Sequence, residues 1–171
     1  MKDLKEFVRD IPDFPKEGVV YKDISPLLQD PEAMHRAVEL FLEKLDGIKI
    51  DKVIGIEARG FFFATLLAEK LNAGFIPLRK PGKLPYKTIK EEYALEYGTD
   101  SLEIHEDAFE RGEKILIHDD VLATGGTALA ACKLVERMGG EIAQCDFLVE
   151  LEFLNGREKL KGYQIESLLK Y

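Results

Sequence analysis

Two adjacent carboxylates followed by a threonine- and glycine-rich turn form the part of this sequence with the clearest chemistry. An apolar run at 115–117 precedes Asp119 and Asp120, and the turn after them consists of Ala123, Thr124, Gly125, Gly126 and Thr127. Glycine lets a backbone approach a ligand closely, and a helix that begins at such a turn offers unpaired N–H groups to a phosphate. Neighbouring carboxylates suit sugar hydroxyls or a hydrated Mg²⁺. The segment therefore predicts a site for a phosphorylated sugar.

Other phosphate-binding patterns are absent from the sequence. No G-x-G-x-x-G follows a predicted strand, and no G-x-x-x-x-G-K-[ST] occurs, so neither a dinucleotide-binding fingerprint nor a P-loop is present. The simpler alternative for Asp119 and Asp120 is an acidic first turn that caps a helix.

Composition limits the classes of protein that this chain can belong to. Its 171 residues are 46% hydrophobic and 33% charged, which is typical of one globular domain over residues 1–171. Acidic residues outnumber basic ones by 32 to 24, and the net charge of -8 argues against general nucleic-acid binding. Cys132 and Cys145 lie in no metal-binding pattern and are interpreted as buried thiols. An acidic N-terminus and the lack of a long apolar run predict a cytoplasmic protein with no membrane partner.

Strands and helices are predicted to alternate along the chain, which is typical of an α/β fold with a parallel sheet. The strongest helix signal begins at the Asp30 cap and Pro31 and ends before Gly47. A short N-terminal helix is expected within residues 4–11. Strands are predicted at 53–56, 75–78, 115–117 and 143–151, and further helices at 61–71 and 127–138.

Two segments allow more than one interpretation. Residues 79–90 are rich in Lys and Arg, contain no acid and precede a predicted hairpin with its turn at 98–100. They form either a solvated insertion or a mobile basic loop that serves a site. The helix at 61–71 is apolar on nearly all sides, which predicts burial in the core or against a second subunit.

Together with the segment around Asp119, five further segments resemble the adenine phosphoribosyltransferases, a family of type I phosphoribosyltransferases. They occur in the family's order and nearly end to end, at 14–26, 55–61, 79–85, 95–98 and 156–160. The resemblance implies a parallel-sheet type I phosphoribosyltransferase fold with helices on both faces, a small hood and a mobile lid loop. It further implies transfer of ribose 5-phosphate from phosphoribosyl pyrophosphate (PRPP) to adenine, which yields AMP and pyrophosphate in purine salvage. Mg²⁺ would be the cofactor, and the protein would be a homodimer.

The resemblance also assigns roles to single residues. Residues 123–127 would cradle the 5-phosphate, and Asp119 and Asp120 would hold the ribose hydroxyls, with Mg²⁺ bound through PRPP and no metal held by protein ligands alone. The remaining PRPP-binding residues would be Glu57, Ala58, Arg59 and Lys83, with a cis peptide between Glu57 and Ala58 and with Arg79 and Lys80 behind Lys83. The adenine-binding residues would be Val20, Tyr21 and Lys22. Val20 and Lys22 would bind the base through their backbone groups, and the Tyr21 ring would stack on it.

Catalysis in this family implies two kinds of residue. Arg59 and Lys83 would stabilise the charge of the leaving pyrophosphate, and Glu96 would exchange a proton with the purine. Two other functions stay open at this point: transfer to another purine base, and a regulator that binds nucleotide without turnover. Retention of all three catalytic candidates argues against the regulator, since a sensor has no need of them.

The sequence departs from the family pattern at three positions. Tyr21 and Lys22 stand where phenylalanine and arginine are expected, and both changes leave stacking and backbone contacts possible. His118 stands where an aliphatic residue is expected. It is either a core histidine with satisfied hydrogen bonds or a group that titrates near neutrality and makes PRPP binding pH-dependent.

Overall fold

A five-stranded parallel sheet forms the centre of the protein, with strand order β4-β3-β7-β8-β9. The computed structural model describes residues 3–94 and 98–171. The strands are β1 (Arg9–Pro12), β2 (Val20–Asp23), β3 (Lys52–Ile56), β4 (Gly74–Leu78), β5 (Thr88–Ala94), β6 (Thr99–His105), β7 (Lys114–Leu122), β8 (Glu141–Glu150) and β9 (Ile165–Lys170). The helices are α1 (Ser25–Gln29), α2 (Pro31–Leu45), α3 (Phe61–Leu71), α4 (Gly126–Met138) and α5 (Gly156–Lys159), with 3-10 turns at Leu4–Phe7 and Glu152–Leu154.

Helices cover both faces of this sheet, as predicted. On one face, α2 and α3 bury Phe41 and Phe63 against the sheet in one core. On the other face, α4 and the β5–β6 hairpin bury Leu134 and Ile104 in a second core. The sheet is buried on both sides, which explains why its strands read as continuous apolar runs. No helix in the described ranges is long and apolar enough to span a membrane.

The order of the strands creates a switch point between β3 and β7. The chain moves outward from β3 to β4 and then returns to place β7 on the opposite side of β3. Loops that follow strands on either side of such a point diverge and leave a crevice at the carboxyl ends of the strands. The turn after β3 and the turn after β7 are therefore the ones placed to form a site.

Strand β7 is longer than the sequence predicted. Its apolar run ends at Ile117, but pairing with β8 continues through Asp119↔Phe147 to Leu122↔Glu150. Carboxylates have low strand propensity, so the extension depends on the neighbouring strand. Both aspartates consequently lie within the end of a strand, and the alternative of a capping first turn is wrong.

The N-terminal region differs most from the prediction. In place of a helix within residues 4–11, a 3-10 turn at Leu4–Phe7 is followed by β1, which pairs antiparallel with β2. Pairing between β1 and β2 overrides the helical spacing of the apolar residues. This two-stranded sheet is separate from the central one and corresponds to the expected hood.

The predicted hairpin is present and begins earlier than expected, but its predicted turn at 98–100 is wrong, because Thr99 and Asp100 are paired residues of β6. Strands β5 and β6 pair antiparallel from Thr88↔His105 to Ala94↔Thr99, and an isolated bridge joins Arg79 to Glu103. The basic segment between β4 and β5 therefore spans residues 79–87 and is anchored at both ends.

Candidate active site at the carboxyl ends of β3 and β7

The turn between β7 and α4 has the geometry of an anion-binding loop. Gly125 has a φ of 79°, a left-handed conformation that suits glycine, and precedes the first residue of α4. Thr124 is exposed, whereas Gly126 and Thr127 are half-buried. A cavity of about 70 Å³ is lined by Asp119 and residues 121–128. The unpaired N–H groups at the start of α4 therefore lie beside a small cavity that can take a phosphate.

The two aspartates occupy different environments beside this loop. Asp119 is half-buried and its Oδ1 accepts a 2.9 Å hydrogen bond from the backbone N–H of Asp120. Asp120 is 3% exposed, and its Oδ2 accepts no hydrogen bond from the described residues. Burial raises the pKa of both carboxyls, and the charge of Asp120 raises that of Asp119 further. The pair thus has buried acceptor capacity for a ligand that donates hydrogen bonds.

Arg59 joins the turn after β3 to this pair. Its Nε lies 3.0 Å from Oδ2 of Asp120, and its Nη1 donates a hydrogen bond to the hydroxyl of Tyr21. The guanidinium also lies 5.1 Å from the centroid of the Tyr21 ring. The preceding peptide between Glu57 and Ala58 is cis, as the resemblance implied. Arg59 therefore contacts both the sugar-binding candidate and the base-binding candidate.

The hood residues lie on β2. Val20 is 48% exposed and Tyr21 is half-buried, so Tyr21 is not a core residue. The ring of Phe14 packs edge-on against Tyr21 at a centroid distance of 5.2 Å. Lys22 pairs with Asp10 at 2.7 Å, which leaves its side chain outside the contact between Tyr21 and Arg59.

Glu57 holds the start of the basic segment. Its Oε2 accepts a 2.8 Å hydrogen bond from the backbone N–H of Lys80 and lies 3.2 Å from Nε of Arg79. Burial opposes ionisation of Glu57, but these contacts outweigh it and lower its pKa. Lys80 in turn bonds to Tyr93 and Asp100 of the hairpin.

Lys83 differs from the other cations of this segment. Its side chain is exposed, and the ion pairs of the described residues involve Arg79 and Lys80 but not Lys83. Of these three cations, Lys83 is therefore the one available to an incoming anion. Glu96, the predicted proton-exchange residue, lies outside the described residues.

Comparison with known proteins agrees with this arrangement. The phosphoribosyl transferase domain model matches residues 25–161. An adenine phosphoribosyltransferase of Christiangramia forsetii is 72% identical over 169 residues, which cover 99% of each chain. This chain belongs to the adenine phosphoribosyltransferase family. The crystal structure of the family member from Thermoanaerobacter pseudethanolicus matches with a TM-score of 0.96 and 53% identity over 98% of each chain. The Saccharomyces cerevisiae enzyme, complexed with adenine and an imino-altritol bisphosphate, matches at 0.91 and 39%, covering 96% of this chain and 95% of that one.

His118 is one place where this member of the adenine phosphoribosyltransferase family departs from both sequence-based interpretations. The ring is fully buried against Phe41 and Phe63, with centroid distances of 5.1 and 6.2 Å. Neither ring nitrogen has a hydrogen-bond partner among the described residues. The prediction of a core position is confirmed, but the prediction of satisfied hydrogen bonds is wrong. Burial lowers the pKa to about 3, so titration near neutrality is also wrong.

Sequence reasoning missed two contacts in this adenine phosphoribosyltransferase family member. The hydroxyl of Tyr21 bonds to Arg59, and the backbone of Gly156 meets that of Ala123 and Gly125 in the turn before α4. The first is signalled only by tyrosine in place of phenylalanine. The second lies in the segment at 156–160, which was part of the resemblance but had no role.

A larger cavity of about 740 Å³ lies away from these site residues. It is lined by the Leu4–Phe7 turn and the start of α2, including Ala33 and Arg36. None of the predicted site residues lines it, and Arg36 is engaged by Glu39 and Glu43. Asp119 and the predicted phosphate-binding turn line the smaller cavity instead.

Proposed function

We propose that this protein transfers ribose 5-phosphate from PRPP to adenine and releases AMP and pyrophosphate. The contact of Arg59 with both Asp120 and Tyr21 carries the proposal, because it joins a sugar site, a leaving-group site and a base site at one edge of the sheet. The names of the relatives and the adenine bound in the yeast structure support the choice of base.

The turn at residues 123–127, called the phosphate loop below, and the two aspartates hold the ribose 5-phosphate. The loop binds the 5-phosphate through N–H groups at the start of α4, and the threonine hydroxyls add donors. Ribose hydroxyls donate to Asp119 and Asp120. The Oδ2 atom of Asp120 supports this role because it is buried, accepts no hydrogen bond from the described residues and has only the ion pair with Arg59, with which a ribose hydroxyl would compete.

Arg59 and Lys83 act on the leaving pyrophosphate. Negative charge grows on it as the bond to the sugar carbon breaks, and fixed cations stabilise that charge most where water is excluded. Lys83 is exposed on the basic segment at 79–87. Glu57 fixes the start of this segment, at Lys80, to the turn that carries Arg59. Closure of this segment over PRPP would bring Lys83 to the charge and prevent hydrolysis of the sugar cation.

The hood binds adenine. The Tyr21 ring stacks on the base, and backbone groups of Val20 and Lys22 pair with its N1 acceptor and 6-amino donor. Exposure of Val20 supports this role, because it leaves the start of β2 open to a ligand. Exchange of the purine proton with Glu96 stays a prediction.

Mg²⁺ fits this site as a companion of PRPP. No cluster of three or more His, Cys, Asp or Glu that could hold a metal exists within residues 3–94 and 98–171. Carboxylate oxygens of Asp119 and Asp120 are of the kind that Mg²⁺ prefers. When bound, the ion would neutralise phosphate charge, while the protein supplies orientation.

Assembly and location are expectations of the same proposal. Phe62, on the outer side of α3, is 44% exposed, which supports burial of that helix in a homodimer. A cytoplasmic location and a single domain over residues 1–171 stay predictions. A sedimentation experiment that shows only monomer would contradict the expected homodimer.

The direct test is AMP formation from PRPP and adenine with Mg²⁺. Parallel reactions contain hypoxanthine, guanine or xanthine, and a reaction without base measures PRPP hydrolysis. We expect turnover with adenine and little hydrolysis. Turnover with another base would assign that base, and not adenine, to the hood. PRPP binding without turnover would favour the alternative of a regulator that binds nucleotide.

A further inference from the structure

Gly156, the first residue of α5, contacts the phosphate loop backbone to backbone. A Cβ at position 156 would lie 2.3 Å from the carbonyl oxygen of Ala123. Conversely, a Cβ at Gly125 would lie 2.5 Å from the carbonyl oxygen of Gly156. Both distances are far below van der Waals contact, so the two backbones meet with no side chain between them. The position of the loop is thereby coupled to the position of residue 156.

This contact lies outside the phosphate cavity. The cavity is lined by Asp119 and residues 121–128, and Gly156 is not among its lining residues. Gly156 itself is buried, and its φ is outside the left-handed region. The absence of a side chain at 156 is therefore required by the close approach and not by backbone conformation.

Arg157 fixes the segment that carries Gly156. Its Nε and Nη2 donate to the two carboxylate oxygens of Glu150 at 2.6 and 2.8 Å. It also donates to the hydroxyl of Ser167 at 3.0 Å and to the carbonyl of Ile165 at 3.1 Å. One side chain thus ties α5 to the ends of β8 and β9 by a bidentate pair, which has defined geometry.

The bidentate contact between Arg157 and Glu150 is called the Arg157–Glu150 clamp. Glu150 connects this clamp to β7, the strand that leads into the phosphate loop. It is 4% exposed and pairs in register with Leu122, the last residue of β7. Burial opposes its ionisation, but hydrogen bonds from Arg157 and Ser167 outweigh burial and lower its pKa. A charged Glu150 therefore holds Arg157 at neutral pH.

We infer that Gly156, held by the Arg157–Glu150 clamp, is a positioning element of the 5-phosphate site. It sets the place of the loop at Ala123 and Gly125 from outside the cavity, without touching the ligand. The inference rests on the proposed function, because the loop is taken to bind the 5-phosphate. A misplacement of about 1 Å in a positioned group can lower a reaction rate about a hundredfold, so a methyl group at 156 has a large expected effect on what the loop positions.

The test compares Gly156→Ala with Gly74→Ala by calorimetric titration of AMP and of adenine. Gly74 starts β4, and the nearest atoms to its added methyl group belong to the flexible side chain of Lys52. We expect Gly156→Ala to weaken AMP binding by about tenfold or more and to leave adenine binding nearly unchanged. Gly74→Ala should change neither. Unchanged AMP affinity, or an equal loss for AMP and adenine, overturns the inference.

A second pair of variants decides the matter if Gly156→Ala does not fold. Arg157→Lys keeps the charge but loses the bidentate pair, and Arg36→Lys makes the same substitution on α2, where Nη1 of Arg36 bonds to Glu39 and Glu43. Arg157→Lys should weaken the binding of AMP but not that of adenine, and Arg36→Lys should weaken neither. A folded Arg157→Lys protein with wild-type AMP affinity contradicts the inference. Wild-type protein that binds no AMP contradicts the proposed function instead.

Discussion

The Nε atom of Arg59 lies 3.0 Å from a buried carboxylate oxygen of Asp120 that accepts no hydrogen bond from any described residue. Charge attraction thus holds Arg59 beside Asp120, while the oxygen keeps its hydrogen-bonding capacity. A ribose hydroxyl that donates to this oxygen would weaken the hold on Arg59. In the proposed function, sugar binding at Asp120 and pyrophosphate binding at Arg59 are therefore linked through one atom.

Asp119→Asn should stabilise the unliganded protein and weaken PRPP binding. Burial and the charge of Asp120 raise the pKa of Asp119, so its ionised form is unfavourable at neutral pH. Removing that charge should raise the free energy of unfolding by about 1 kcal/mol. Thermal unfolding and PRPP titration at pH 7.5 measure the two effects, with exposed Asp107→Asn as the control. A variant that is less stable and still binds PRPP normally would refute this.

Lys83→Gln should lower kcat by about a hundredfold, the usual loss when one group that stabilises transition-state charge is removed. Lys87→Gln is the matched control, because Lys87 lies on the same segment but pairs with Glu106 at 3.8 Å. Steady-state rates with saturating adenine and PRPP compare the two. Equal effects of both substitutions would mean that only the total charge of the segment matters.

Tyr21→Phe should separate the two roles of Tyr21. The ring stays, so KM for adenine should be nearly unchanged. Loss of the hydroxyl that accepts from Arg59 should lower kcat/KM for PRPP by about tenfold, since hydrogen bonds to charged groups contribute roughly 1.5–3 kcal/mol. Tyr163→Phe removes a hydroxyl that bonds to Glu136 and should change neither constant. A rise in KM for adenine alone would show that the hydroxyl serves the base.

Asp146→Asn should remove a pH dependence of stability. Burial raises the pKa of Asp146 to about 7, above its value in the unfolded chain. Between the two pKa values the folded state binds more protons, so wild-type stability falls as pH rises, by about 1.4 kcal/mol per pH unit. The advantage of the Asn variant should therefore grow from about pH 4 to 7 and then level off. Denaturant unfolding at several pH values measures it, and a pH-independent difference would exclude an ionised Asp146 as the cause.

Glu96→Gln should lower turnover strongly and leave PRPP binding intact. This expectation comes from the family resemblance, because Glu96 lies outside the described residues. An amide cannot exchange a proton with the purine as a carboxylate does. PRPP titration and AMP formation separate the two steps. Normal turnover would assign the proton transfer to another group.

The central elements could be predicted because their signals are local. Helix α3 has the predicted bounds of Phe61–Leu71, and α2 begins where Asp30 accepts hydrogen bonds from Glu32 and Ala33. The N-terminal prediction failed because β1 is a strand only through its partner β2. The end of β7 was missed for the same reason, since β8 extends it.

By itself, the sequence determined the alternation of strands and helices and the glycine turn that follows the acidic pair and begins a helix. Each depends on residue types within a few positions of one another, where backbone conformation and charge are set locally. Only the tertiary structure decided that Arg59 reaches Asp120 and Tyr21 and that Gly156 touches Ala123. Those contacts join residues far apart in the chain, and they arise because the parallel strands bring their carboxyl ends to one edge and the β1–β2 sheet packs its Tyr21 against that edge.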